Sequence, residues 1–269
     1  MQTLVKIGVS LTVVAAVLVG ACYNVLLAQG VSHPPISAAE RVIATETRPL
    51  GAGIVNIDLN GPVDLKLVQG NSPSMTVRAE KRLLPQITTE QDGNTLHIGL
   101  KGFNIHTRRP LQVELTLPAL QQLTMQGSGD ADVKGFNGEQ LQLALRGSGN
   151  AVVVGQYKRI NASILGSGDL QLNGGNSDHV ELSLTGSGEM TITGQSKALA
   201  AKIMGSGNID ASRLPSDSVK LDLLGSGDAS LNAKQSVNLN LRGSGDIHVD
   251  GKPAQRNVSR TGSGDVSFE

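Results

Sequence analysis

Gly225-Ser226-Gly227-Asp228-Ala229-Ser230-Leu231-Asn232 is followed, eighteen residues after its first glycine, by Gly243-Ser244-Gly245-Asp246-Ile247-His248-Val249-Asp250, and this pair decides the fold. Gly-Ser-Gly begins at Gly127, Gly147, Gly166, Gly186, Gly205, Gly225, Gly243 and Gly262, at spacings of 20, 19, 20, 19, 20, 18 and 19 residues. A short polar residue closes each copy: Asp130, Asn150, Asp169, Glu189, Asn208, Asp228, Asp246 and Asp265. Apolar and variable positions then alternate, as in Leu170-Gln171-Leu172 and Met190-Thr191-Ile192, and again before the next glycine, as in Val180-Glu181-Leu182-Ser183-Leu184. A period of two is the signature of a strand. Each unit therefore carries two strands meeting at the Gly-Ser-Gly corner, with a variable turn such as residues 174–177 or 215–217 between units.

One such unit cannot bury its apolar side alone, whereas stacked copies seal one another. The expected fold is all-β: a right-handed parallel β-helix of about eight Gly-Ser-Gly repeats, the hand following the crossover preference of parallel strands. At about 4.8 Å between strands, eight coils make a rod roughly 38 Å long. An antiparallel sandwich explains the alternation but not the recurrence of one turn at constant spacing. Glycine permits positive φ and close backbone approach, and Asp or Asn hydrogen-bonds its own turn. Stacking places Ser128, Ser148, Ser167, Ser187, Ser206, Ser226, Ser244 and Ser263 in a column whose hydroxyls can bond from coil to coil. A hidden copy occurs upstream, with Gly61-Pro62-Val63-Asp64 standing where Gly-Ser-Gly-Asp stands later. Residues 49–120 are read as irregular capping coils, with a short helix near residues 81–85, and residues 121–269 as the regular repeat region.

Tryptophan is absent and aromatic residues are 2% of the chain, so the core is aliphatic. Acidic and basic residues balance at 23 each, and Lys81-Arg82 and Arg108-Arg109 are too short to make a basic stripe, which argues against nucleic acid as a partner. Residues 7–28 carry no charge and follow Lys6, so residues 1–30 read as a signal peptide or membrane anchor helix. Three fates stay open: retention as the membrane contact, cleavage after Ala28-Gln29-Gly30, or lipidation at Cys22, the single cysteine, in the lipobox-like Val19-Gly20-Ala21-Cys22. Residues 31–48 read as a linker.

The run from Gly61 to Gly70, the segment Leu84-Pro85-Gln86-Ile87 and the Gly-Ser-Gly-Asp series together resemble the head GIN domain family, also called putative auto-transporter adhesins, over about residues 49–269. The resemblance implies a right-handed parallel β-helix on an exported bacterial protein with no assigned activity. An adhesin role would rest on analogy of fold, which does not fix function.

The sharpest candidate for chemistry is the acidic column Asp130, Asp169, Glu189, Asp228, Asp246 and Asp265, because stacked like charges repel unless something separates them, and calcium is one such agent. Asn150 and Asn208 interrupt the row, which favours turn capping. A polysaccharide lyase or hydrolase is the enzymatic alternative, but Phe103, Phe136, Tyr157 and Phe268 are the only aromatic residues beyond the signal. His33, His97, His106, His179 and His248 lack metal-ligand spacing and read as surface residues. No catalytic residue and no cofactor are expected. The expected role is a structural or adhesin-like module of the periplasm or cell surface, with an envelope protein or glycan as partner. The C-terminal β-helix edge, where Arg260 replaces the apolar residue of earlier units, is a place for self-association.

Overall fold

The computed structural model describes residues 42–102 and 111–269. The signal or anchor segment, Cys22, His33, Phe103, His106 and Arg108-Arg109 lie outside the described residues. Among the described residues no helix is long and apolar enough to cross a membrane.

The body is a β-solenoid of about seven turns. Its regular part comprises β9 (Ala131–Gly147), β10 (Ala151–Gly166), β11 (Leu170–Gly186), β12 (Glu189–Gly205), β13 (Asn208–Gly225), β14 (Ala229–Gly243), β15 (Ile247–Asp250), β16 (Gln255–Gly262) and β17 (Val266–Phe268). Neighbouring coils pair in parallel, and the corner glycines are in register: Gly147 on Gly166, Gly166 on Gly186, and so on to Gly243 on Gly262. The period of nearly twenty thus becomes one turn of the solenoid, as the spacing predicts.

Alternation decides which side chains fill the interior. Leu141, Leu143 and Leu145 point inward from β9, and Ile160, Ala162 and Ile164 from β10, all at most 3% exposed. One column reads Leu143, Ala162, Leu182, Ala201, Leu221, Leu239, so large and small residues share the space between coils. Each buried Leu or Ile stabilises the stack by about 1.5–3 kcal/mol relative to exposure. The turns between units bury single serines whose hydroxyls are satisfied locally. Ser177 Oγ donates to Tyr157 O at 2.7 Å, and Ser216 Oγ to Leu214 O at 2.9 Å.

The N-terminal coils are not stacked in chain order. β2 (Asn56–Asn60) and β3 (Val63–Gln69) form the hidden repeat, resting on β8 (Gln122–Gly127) and β9 on one side. On their other side lie β6 (Thr95–Leu100) and β7 (Leu111–Leu117), which come later in the chain. Antiparallel strands close that end: β4 (Ser74–Glu80) on β7, and β5 (Ile87–Asp92) on β6. The expected helix near residues 81–85 is a single 3-10 turn at Leu84–Gln86, where Pro85 fixes the backbone.

Residues 43–48, expected to belong to the linker, form β1 (Ile43–Arg48), antiparallel to β4. Arg48 accounts for its attachment, since its guanidinium donates to Ile87 O at 2.6 Å, Leu84 O at 2.7 Å and Thr89 Oγ1 at 3.2 Å.

Candidate functional site

The corner column is the most regular feature of the molecule, and both of its glycines are required for steric reasons. Gly166 has φ +140°, and a Cβ on Gly168 would lie 2.1 Å from Gly149 O in the coil beneath. The backbones approach closely because the serine amides bond directly between corners: Ser167 N–H donates to Gly147 O at 2.9 Å and Ser187 N–H to Gly166 O at 3.0 Å. The expected hydroxyl ladder is therefore largely a ladder of peptides. Among the described residues, one hydroxyl rung joins neighbouring corners, Ser244 Oγ to Ser226 Oγ at 3.0 Å.

The acidic column has a specific local job. Asp130 Oδ1 accepts the Asn150 N–H at 2.8 Å, Asn150 Oδ1 accepts that of Asp169 at 3.0 Å, and Asp169 Oδ1 that of Glu189 at 2.9 Å. Asn208, Asp228 and Asp246 do the same for Asp228, Asp246 and Asp265, each at 2.8 Å. The hidden repeat supplies the first rung, Asp64 Oδ1 accepting from Asp130 N–H at 3.0 Å. Glu189 breaks the series, and Asn208 N–H turns to Gly188 O instead, at 3.1 Å. The extra methylene of Glu explains this, since only a side chain of Asp or Asn length places its oxygen over the next amide. Asn fills two rungs with the same geometry, so the rung needs an acceptor rather than a charge. Carboxylates in the remaining rungs face an N–H dipole, which offsets their mutual repulsion.

The whole repeat region, with the hidden repeat before it, decides the family. A model of the family described as "Putative auto-transporter adhesin, head GIN domain" matches residues 55–253, a span that begins just before the hidden repeat and runs through seven of the Gly-Ser-Gly corners. The chain belongs to the head GIN domain family. Solved structures share the fold. A "putative lipid binding protein" from Parabacteroides distasonis is 24% identical, with 84% of this chain and 96% of that one covered and a TM-score of 0.76. A "putative adhesin" from the same organism is 20% identical over 86% and 98%, at TM-score 0.78, and a "putative adhesin" from Parabacteroides merdae 19% identical over 84% and 96%, at 0.79. No match was found among curated proteins.

On this head GIN domain the outward positions, rather than the corners, are free to serve a partner. The position just before the corners holds Gln126, Arg146, Leu165, Thr185, Met204, Leu224, Arg242 and Thr261 in register on successive coils. Leu165 is 57% exposed, Met204 37% and Leu224 50%, so the middle of the column is an apolar ridge, interrupted at Thr185 and flanked by Arg146 and Arg242. On the same sheet face, small side chains leave a shallow groove of about 610 Å³, floored by Ala198, Ala200, Ser218 and Ser236 and bordered by His179, Lys220 and Arg256.

Along the unit-to-unit turns, ion pairs link coils: Lys158 with Glu139 at 2.8 Å, Lys197 with Asp178 at 2.6 Å and Lys234 with Asp217 at 3.9 Å. The hydrogen bond from Lys197, reinforced by its charge, holds the Asp178 carboxyl below the usual carboxylate range. Inside the rod, the Tyr157 hydroxyl donates to Leu120 O at 3.1 Å, and burial pushes its pKa above the usual tyrosine range.

The structure separates the histidines. His97 Nδ1 lies 3.2 Å from Asp58 Oδ2, and His179 borders the groove. His248 is brought beside Asp250 and Glu269, a grouping its outward strand position did not suggest. Only the length of one coil links residues 250 and 269 in sequence.

The C-terminal coil carries Arg256, Val258 and Arg260 in the columns filled by Val237, Leu239 and Leu241 one coil earlier. The Arg256 guanidinium lies 4.4 Å from the centroid of the Phe268 ring and its Nε donates to Pro253 O at 3.2 Å. Arg260 donates to Gly264 O at 3.2 Å and to Asp265 Oδ1 at 2.8 Å. Inward-pointing charges are one of the devices that blunt edge strands.

Proposed function

We propose that this head GIN domain protein is an exported cell-envelope rod that works as a structural or adhesin-like binding module without catalysis, and that its contact face is the ridge Leu165, Thr185, Met204 and Leu224. The ridge carries the reading. Three large apolar side chains exposed in one column across four coils mark an interaction surface, and Arg146 and Arg242 add charge-bearing anchors of the kind that dominate protein interfaces. A rod tied together by in-register backbone bonds holds such a face with little backbone ordering left to do on binding. Family membership and the adhesin-named structural neighbours support the same reading.

The apolar N-terminal segment supplies export, and the mass of the mature chain distinguishes a retained anchor, a cleaved signal and a lipidated Cys22. The partner is an envelope protein. Purified protein should bind isolated envelope, and L165D/L224D should weaken that binding at least tenfold while leaving the melting temperature within about 2 °C. Equal binding by the variant refutes the ridge as the contact face. Release of fragments or reducing ends from a polysaccharide panel by the folded protein would replace the binding reading with the lyase or hydrolase one.

A further inference from the structure

We propose that His248, Asp250 and Glu269 form a site for a divalent transition metal, with zinc as the best fit. His248 and Asp250 are two apart on β15 and so project from the same face. Glu269 follows β17, which pairs with β15 from the next coil. Its backbone N–H donates to Val249 O at 3.0 Å, which fixes the residue opposite the other two. His248 Nε2 lies 3.3 Å from Asp250 Oδ1 and 3.8 Å from Glu269 Oε2, and all three ligand atoms lie within 4.8 Å of one another. Bonds of about 2.0–2.1 Å to a tetrahedral zinc place neighbouring donor atoms about 3.4 Å apart, so the triangle needs only small adjustment.

The far side of the imidazole carries a second, independent observation. His248 Nδ1 lies 3.0 Å from Ser267 Oγ. Donation of the Nδ1 proton to this hydroxyl leaves the lone pair on Nε2, facing the carboxylates, and a second-shell partner of this kind orients ligating histidines. Two carboxylates against one ring nitrogen also exceed what that nitrogen can satisfy, because it carries at most one proton. A bound cation would engage both carboxylates at once. One imidazole with two carboxylates suits zinc and its first-row neighbours, whereas calcium takes oxygen ligands. Three protein ligands leave a fourth position open to water or to a group from a partner.

The site has a structural consequence. β17 is held by a register of only three residue pairs, Ile247 with Val266, His248 with Ser267 and Val249 with Phe268. A metal ligated from both strands staples the last coil to the one before it.

The test is calorimetric titration of the full chain with Zn²⁺ at pH 7.5, repeated with H248A, E269Q and, as controls, H97A and H179A. One equivalent should bind with micromolar affinity; H248A and E269Q should each weaken it at least tenfold, and the controls should leave it unchanged. Co²⁺ in place of Zn²⁺ should give the visible absorption of a low-coordinate site, lost in H248A. Millimolar Ca²⁺ should produce neither heat nor a change in melting temperature. Binding no tighter than millimolar, or affinity unchanged by H248A or E269Q, overturns the site even where a variant is destabilised, since the wild-type titration stands alone.

Discussion

Replacing Asp130, Asp169 and Asp246 tests what the acidic column is for. Each accepts one backbone N–H from the next coil, at 2.8, 2.9 and 2.8 Å. A hydrogen bond to a charged group contributes about 1.5–3 kcal/mol, but these corners are exposed and water takes over the freed amide, so about 1 kcal/mol per rung is the appropriate scale. The three rungs are at least two coils apart, roughly 9.6 Å at 4.8 Å per strand, and should be nearly additive. D130A/D169A/D246A should therefore lose about 3 kcal/mol, or roughly 6–12 °C for a domain of this size. D130N/D169N/D246N should stay within about 2 °C of wild type, because Asn150 and Asn208 already serve as rungs. Thermal melts followed by circular dichroism, with and without millimolar Ca²⁺, separate the possibilities. Equal losses in the Asn and Ala variants would show that charge matters and the acceptor does not; a calcium-dependent rise in wild type, abolished in the Asn variant, would make the column a cation site.

Ala at Gly168 places a Cβ 2.1 Å from Gly149 O, so G168A should lower stability by roughly 1–3 kcal/mol, whereas S167A, at an exposed side chain whose amide makes the bond, should melt within about 1 °C of wild type. Y157F removes the hydroxyl bonded to Leu120 O and should cost about 1 kcal/mol, or roughly 2–4 °C. Because burial raises the Tyr157 pKa in the folded state, the hydroxyl's contribution is full below the unfolded value of 10.0 and declines as pH rises beyond it, so wild type should lose stability between pH 10 and 11.5 more steeply than Y157F. R256L/R260L makes the inward columns of the last coil apolar and should shift the protein to larger species on a sizing column; an unchanged elution volume would show that these arginines do not guard the edge.

Much of the fold is legible in the chain because a fixed period combined with two-residue alternation is a projection rule. The corners Gly127 to Gly262, the inward Leu, Ile and Ala columns and the hidden repeat at residues 61–64 all follow from it, since parallel in-register stacking maps a residue onto the one about nineteen later. The same rule, applied to outward positions, would have revealed the ridge of Leu165, Met204 and Leu224 and the approach of Glu269 to Asp250. Those signals were weaker because outward residues vary in type. Rung chemistry was half legible: the recurrence of Asp and Asn marked a corner role, but only atomic geometry shows why Glu189 cannot fill it. What the tertiary structure alone decided is the N-terminal end, where β2–β3 is the second coil rather than the first, β6–β7 overlays it, and β1, clamped by Arg48, joins the antiparallel closure. No local pattern encodes that order, because pairings between β2 and β6, or β3 and β7, span dozens of residues and depend on which sheet edges the rest of the fold leaves to be paired.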